Sequence, residues 1–137
     1  MLLVTLQTEF SSTRVCTIDV CASRQPVTQV EAIPDLKLVL VLADGALTTW
    51  EAGSLRKKLA GGALDAKHAV FFALNVRGPP RHKLCVVSSK KRLRLYAWGG
   101  ADGGASKQFV WIKDLDLPDV PRALVYYGTH IACGYQR

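Results

Sequence analysis

One hairpin pattern occurs twice in this chain at constant spacing, and that recurrence limits the possible folds more than any other feature. VEAIPDLKLVLVLADGALTTWEAG aligns without a gap on NVRGPPRHKLCVVSSKKRLRLYAWGG: Lys37-Leu38 falls on Lys83-Leu84, Leu47 on Leu93 and Trp50 on Tyr96, an offset of 46 (83 − 37). Each copy reads as a strand, a two-residue turn and a second strand ending in a large ring. Apolar residues at alternate positions turn one face of an extended chain to a core. In RLRLYAW, Leu93, Leu95 and Ala97 share one face, and Arg92, Arg94, Tyr96 and Trp98 the other. LKLVLVLA is apolar on both faces and suits a strand packed between two layers. Asp44-Gly45 is a hairpin signal, since both residues tolerate positive φ. Its counterpart Lys90-Lys91 tolerates it poorly, so that turn is expected to be of another type.

Flanking segments complete each unit. Val27 to Ile33 precedes the first hairpin and Ser54 to Ala60 follows it; in the second unit Ala69 to Val76 and Lys107 to Leu117 take those places. Each unit is then a four-stranded antiparallel meander, and a four-stranded unit repeating every 40 to 50 residues or so marks propeller blades. A β-sandwich also has short strands and turns but gives no reason for one hairpin to recur at fixed offset. Leu117-Pro118-Asp119-Val120-Pro121 reads as the passage between blades, because prolines pre-set φ and cannot sit in a central ladder. The expected fold is all-β, a partial β-propeller of about two complete four-stranded antiparallel blades flanked by two incomplete ones. The expected parts are 1–25 as the end of a preceding blade, 26–62 and 66–117 as blades, and 118–137 as the start of another. A propeller needs at least about four blades to close, so the chain is expected to be a fragment of a longer ring.

Composition agrees with a folding domain. Hydrophobic residues make up 49% and charged residues 21% of the 137, too apolar for a disordered chain. No apolar run approaches the ~20 residues that span a bilayer, and the N-terminus lacks a basic lead and cleavage site, so a soluble, unsecreted protein is expected. Cys16, Cys21, Cys85 and Cys133 sit in strand-like runs without a dense framework and are expected to be reduced thiols. The net charge of +7 favours an acidic partner.

No reaction chemistry is expected. GGADGGASK has glycines spaced as in a phosphate loop, but the required Lys-Ser/Thr and the following helix are missing. His68, His82 and His130 lie far apart, and Cys16-x4-Cys21 has no second ligand pair nearby. Ser88 and Ser89 lie in a hairpin rather than at a nucleophile elbow. Asp114, Asp116 and Asp119 lack the Gly and Glu of a calcium loop and read as a solvated turn between blades. No catalytic residue, cofactor, metal site or small-molecule substrate is therefore expected. The candidate partner-binding residues are Lys90, Lys91, Arg92 and Arg94, basic side chains interleaved with Tyr96 and Trp98 at a hairpin tip. Rings and cations so arranged suit single-stranded nucleic acid or anionic headgroups. Equally, basic stems cover apolar surface on any solvated strand. Nucleic-acid binding rests on charge alone and is not the reading adopted.

VEAIPDLKLVLVLADGALTTWE, KLCVVSSKKRLRLYAW and above all LDLPDVPRALVYYGTHIACGYQR resemble the citron-homology (CNH) domain, with the likeness running from about Val27 to Arg137. The resemblance is specific at Pro118 to Pro121 and is to the form found at the N-terminus of HOPS and CORVET tethering subunits, the Vam-type and TGF-beta receptor-associated proteins. It implies a non-enzymatic β-propeller that binds small GTPases of the Rab type and other tethering-complex subunits. It also implies a cytoplasmic protein, peripheral on the late-endosomal, lysosomal or vacuolar membrane. The alternative it leaves open is a CNH domain of a kinase or Rho-type exchange factor that docks a signalling GTPase.

Overall fold

The computed structural model describes residues 2–7, 13–18, 27–51, 65–75, 82–99 and 108–136. These form four antiparallel sheets and no α-helix. β1 (Leu2–Gln7) pairs with β2 (Thr13–Ile18). The first four-stranded sheet runs in chain order through β3 (Val27–Ile33), β4 (Leu38–Ala43), β5 (Ala46–Glu51) and β6 (Asp65–Lys67). The second runs through β7 (Ala69–Asn75), β8 (Lys83–Ser88), β9 (Arg92–Trp98) and β10 (Phe109–Asp116). β11 (Ala123–Tyr127) and β12 (His130–Gly134) close the described chain as a two-stranded sheet. This is the expected all-β partial propeller: two meanders of four strands between two pairs.

The sheets stack face to face because their central strands are apolar on both sides. Leu38, Leu40, Leu42 and Leu47 of the first sheet meet Ala69, Phe72, Leu84, Val86, Tyr96 and Phe109 of the second. From the other face of the second sheet, Ala73, Cys85, Val87 and Leu93 meet Leu124, Tyr126 and Ile131 of the last pair. β8 therefore alternates between two cores, and its residues Leu84 to Val87 are all at most 1% exposed. At about 25 cal/mol per Å² of apolar surface removed from water, such double burial is the main source of stability here. Trp98 and Phe109 add an edge-to-face ring pair with centroids 5.1 Å apart. Side-chain hydrogen bonds also tie neighbouring sheets. The Gln29 amide donates to the Phe72 carbonyl (2.7 Å) and accepts from the Phe72 N–H (3.0 Å), and the Asn75 amide donates to the Gly128 carbonyl.

Two expectations change. The strand paired with β5 is β6, whereas Ser54 to Ala60, expected in that place, lies outside the described residues. The crossing to the second sheet then takes one residue, His68, at φ 58, whose carbonyl accepts from the Ser89 N–H. The second hairpin also has a three-residue turn, Ser89-Lys90-Lys91, because Ser88 pairs with Arg92. Lys91 takes the left-handed conformation at φ 59, the usual way to close a three-residue hairpin, and the Ser88 hydroxyl accepts from the Lys90 N–H at 3.1 Å. The first hairpin has the expected two-residue turn, with Asp44 at φ 53 and Gly45 at φ 69.

The additional turn residue corrects the alignment. Leu42 pairs with Leu47, and Val87 pairs with Leu93, so the first hairpin strand repeats at 45 (87 − 42) and the second at 46 (93 − 47). A slip of one residue reverses every side chain. Leu38 and Leu84, equated by the sequence, consequently enter the same core from opposite sheets.

Candidate functional site

Pairing of β9 with β10 builds the candidate site. A bulge between Trp111 and Lys113 leaves Ile112 unpaired and shifts the remainder of β10 by one position. As a result Asp114 stands directly across from Arg94, and Asp116 across from Arg92; facing residues in a ladder share a side of the sheet. Arg92 Nε lies 3.7 Å from Asp116 Oδ1, Arg94 Nε 3.8 Å from Asp114 Oδ1, and Lys91 Nζ 4.0 Å from Asp119 Oδ1. These are charge contacts too long to be hydrogen bonds. The exposed Trp111 indole donates to Asp114 Oδ1 at 2.8 Å and so fixes that carboxylate. Burial raises the Tyr96 hydroxyl pKa, an effect that the neighbouring Arg94 partly offsets.

The four candidate residues thus lie together at one hairpin, but three of them stand beside an acid. Lys90, exposed at the tip, is the one of the four without an ion pair among the described residues. The surface is one of alternating charge rather than a cationic strip, which removes the main attraction for a polyanion. Asp114 and Asp116, read from sequence both within the Lys107 to Leu117 strand segment and as part of a solvated turn, belong to the strand. The available signal was complementarity: D-x-D and R-x-R at equal spacing match across an antiparallel pair, but only the Ile112 bulge brings them into register.

The remaining candidates do not converge. His68 sits at the sheet crossing, His82 Nε2 is 3.7 Å from Asp35 Oδ2, and His130 Nδ1 is 3.2 Å from the Thr129 hydroxyl. No group of three or more His, Cys, Asp or Glu fit for a metal occurs among the described residues. Residues 100–107 of the glycine loop and Cys21 lie outside them. Cys85 and Cys133 are free thiols, and burial pushes Cys85 up to about 12. An open groove of about 610 Å³ lies between Val70 and Phe71 on one side and Asp119 to Arg122 on the other. Pro118 to Pro121 connect β10 to β11 as the prolines require, with Leu117 and Val120 packed into the core below. No helix among the described residues is long and apolar enough to cross a membrane.

No protein-family model and no curated protein matches the sequence. Seven solved chains do, among them "AfRom2 CNH domain", at 18% identity with a TM-score of 0.61, covering 95% of this chain and 48% of that one. The chain thus spans about half the length of that solved chain, and what it shares with the CNH domain is its fold, as a partial propeller.

Proposed function

We propose that this chain is a non-catalytic interaction module that docks a signalling small GTPase, in the setting of a CNH domain belonging to a Rho-type exchange factor or a kinase. The observation that carries the reading is the fold likeness to the AfRom2 CNH domain over 95% of the chain. The Lys90 to Arg94 hairpin, with Asp114, Asp116 and Asp119 beside it, is the proposed docking surface. Exposed charges of both signs suit a protein face of mixed charge, where they set orientation and on-rate. The tethering-subunit setting, with Rab-type partners, other subunits and a peripheral place on endosomal or vacuolar membranes, rests on the sequence likeness around Pro118 to Pro121 alone.

Immobilised chain tested against Rho-type and Rab-type GTPases, each loaded with GDP or a non-hydrolysable GTP analogue, decides between the settings. Saturable binding of a Rho-type GTPase, weakened in Lys90→Glu/Arg92→Glu, is the expected result. Binding confined to Rab-type proteins would reinstate the tethering setting, and binding to neither would remove the GTPase reading. Unchanged affinity in the double variant would move the docking surface elsewhere.

A further inference from the structure

β10 brings a large ring to the surface beside the charged hairpin. Of the three tryptophans, Trp50 is buried and Trp98 half-buried, whereas Trp111 is 55% exposed. In the ladder Trp111 stands across from Tyr96, Asp114 from Arg94 and Asp116 from Arg92. Arg92, Arg94 and Tyr96 alternate onto one side of β9, so all six residues share one side of the second sheet, the side on which Tyr96 enters the core with the first. Along that side the surface runs from the Trp98–Phe109 ring pair through Trp111 to the ion pairs and the exposed Lys90. The Ile112 bulge makes this continuity, because without it Asp114 and Asp116 would turn to the opposite side.

The exposed ring is held in place. Its indole N–H donates to Asp114 Oδ1 at 2.8 Å, so the side chain has little freedom left to lose when a partner covers it. That bond occupies the same oxygen that lies 3.8 Å from Arg94 Nε. Arg94 Nε is shielded from solvent without a hydrogen-bond partner, and the Arg94 side chain, 40% exposed, is not clamped by the carboxylate across from it. Lys90, Lys91, Arg92 and Arg94 face only Asp114, Asp116 and Asp119, which leaves the patch one positive charge in excess. A rigid aromatic centre with a charged rim is the anatomy of a binding hot spot, where tryptophan and arginine carry most of the energy. We infer that Trp111 is the anchor of the docking surface: an apolar side chain of the GTPase packs against its indole, and a carboxylate beside that side chain meets Arg94. The inference rests on the GTPase-docking reading and adds to it the chemistry that the partner must present. The hairpin charges then orient the partner, and Trp111 supplies the desolvated contact that holds it.

Calorimetric titration of the 137-residue chain with a Rho-type GTPase carrying a non-hydrolysable GTP analogue, or with the Rab-type protein if that is the one bound, tests it. Trp111→Ala should weaken binding roughly tenfold or more. Trp111→Phe keeps an apolar ring without the indole N–H and should fall between the two. Arg94→Gln should weaken binding and flatten its dependence on salt, since it removes a charge contact. Val30→Ala, at an exposed apolar position on the first sheet, should leave affinity unchanged. All four positions are at least partly exposed, so the far-ultraviolet spectrum should match that of the parent chain. Unchanged affinity in Trp111→Ala would overturn the anchor and leave the GTPase reading standing. An unchanged salt dependence in Arg94→Gln would overturn the carboxylate contact, and a loss in Val30→Ala equal to that in Trp111→Ala would show that the contact is not centred on β10. Absence of binding by the parent chain would remove the GTPase reading and this inference together.

Discussion

Cys85 shows how position in the fold fixes a residue's chemistry. It lies on β8 between two sheets, fully buried, and burial pushes its thiol up to about 12. A thiol so far above its ordinary value is inert at neutral pH, since the thiolate is the reactive form. Iodoacetamide at pH 8 should leave Cys85 unmodified in the native protein and label it in denaturant, as read by peptide mass spectrometry; native labelling would show the site to be open. Stability carries the same signature. Between the ordinary thiol range and about pH 12 the folded state holds a proton that the unfolded chain has lost, so stability falls as pH rises through that window. Cys85→Ala should flatten this alkaline limb in urea titrations while lowering stability at neutral pH through lost packing. Residue chemistry was the most legible level of the sequence: Cys85 was recognisable as a buried thiol from its place in an apolar run. Its two-sided burial was visible only in part, because the alignment assigned the strand's faces one residue out.

At the scale of elements, turns and edges decide what the strand pattern leaves open. Lys91 holds a left-handed φ of 59, a conformation that costs an L-residue about 1 kcal/mol and glycine little. Lys91→Gly should therefore raise stability by roughly 0.5–1 kcal/mol in denaturant titration; a loss would show that the side chain's contact with Asp119 outweighs the strain. Gln29 acts as a substitute strand, its amide meeting both backbone groups of Phe72. Gln29→Ala leaves those groups without their partners and should cost about 1–3 kcal/mol, with faster hydrogen exchange at the Phe72 amide as the local readout. The strands themselves were legible in alternation and punctuation, from LVLVLA to the prolines before β11. The hairpin register, the Ile112 bulge and the pairing of Asp114 and Asp116 with the arginines were not. Each depends on one residue's backbone conformation, which composition does not encode.

At the scale of the whole molecule, β8 belongs to two cores at once and couples the sheets on either side. Leu84→Ala opens a cavity between the first two sheets and should cost about 2–5 kcal/mol. That loss should appear as one shared transition in tryptophan fluorescence and far-ultraviolet circular dichroism. Two separate transitions would mean that the sheets unfold independently, as weakly coupled repeats do.

The sequence by itself determined the central strands of each sheet, the four-stranded pattern and the apolar runs that require a cover on each face, though not the place of β6, because side-chain alternation and turn chemistry are local properties. Tertiary structure alone decided which face of each strand meets which neighbour, which acid stands across from which arginine, and which apolar faces remain uncovered. Those outcomes depend on register, and register is set by the summed packing of whole sheets, where a single additional residue in a turn reverses every contact that follows.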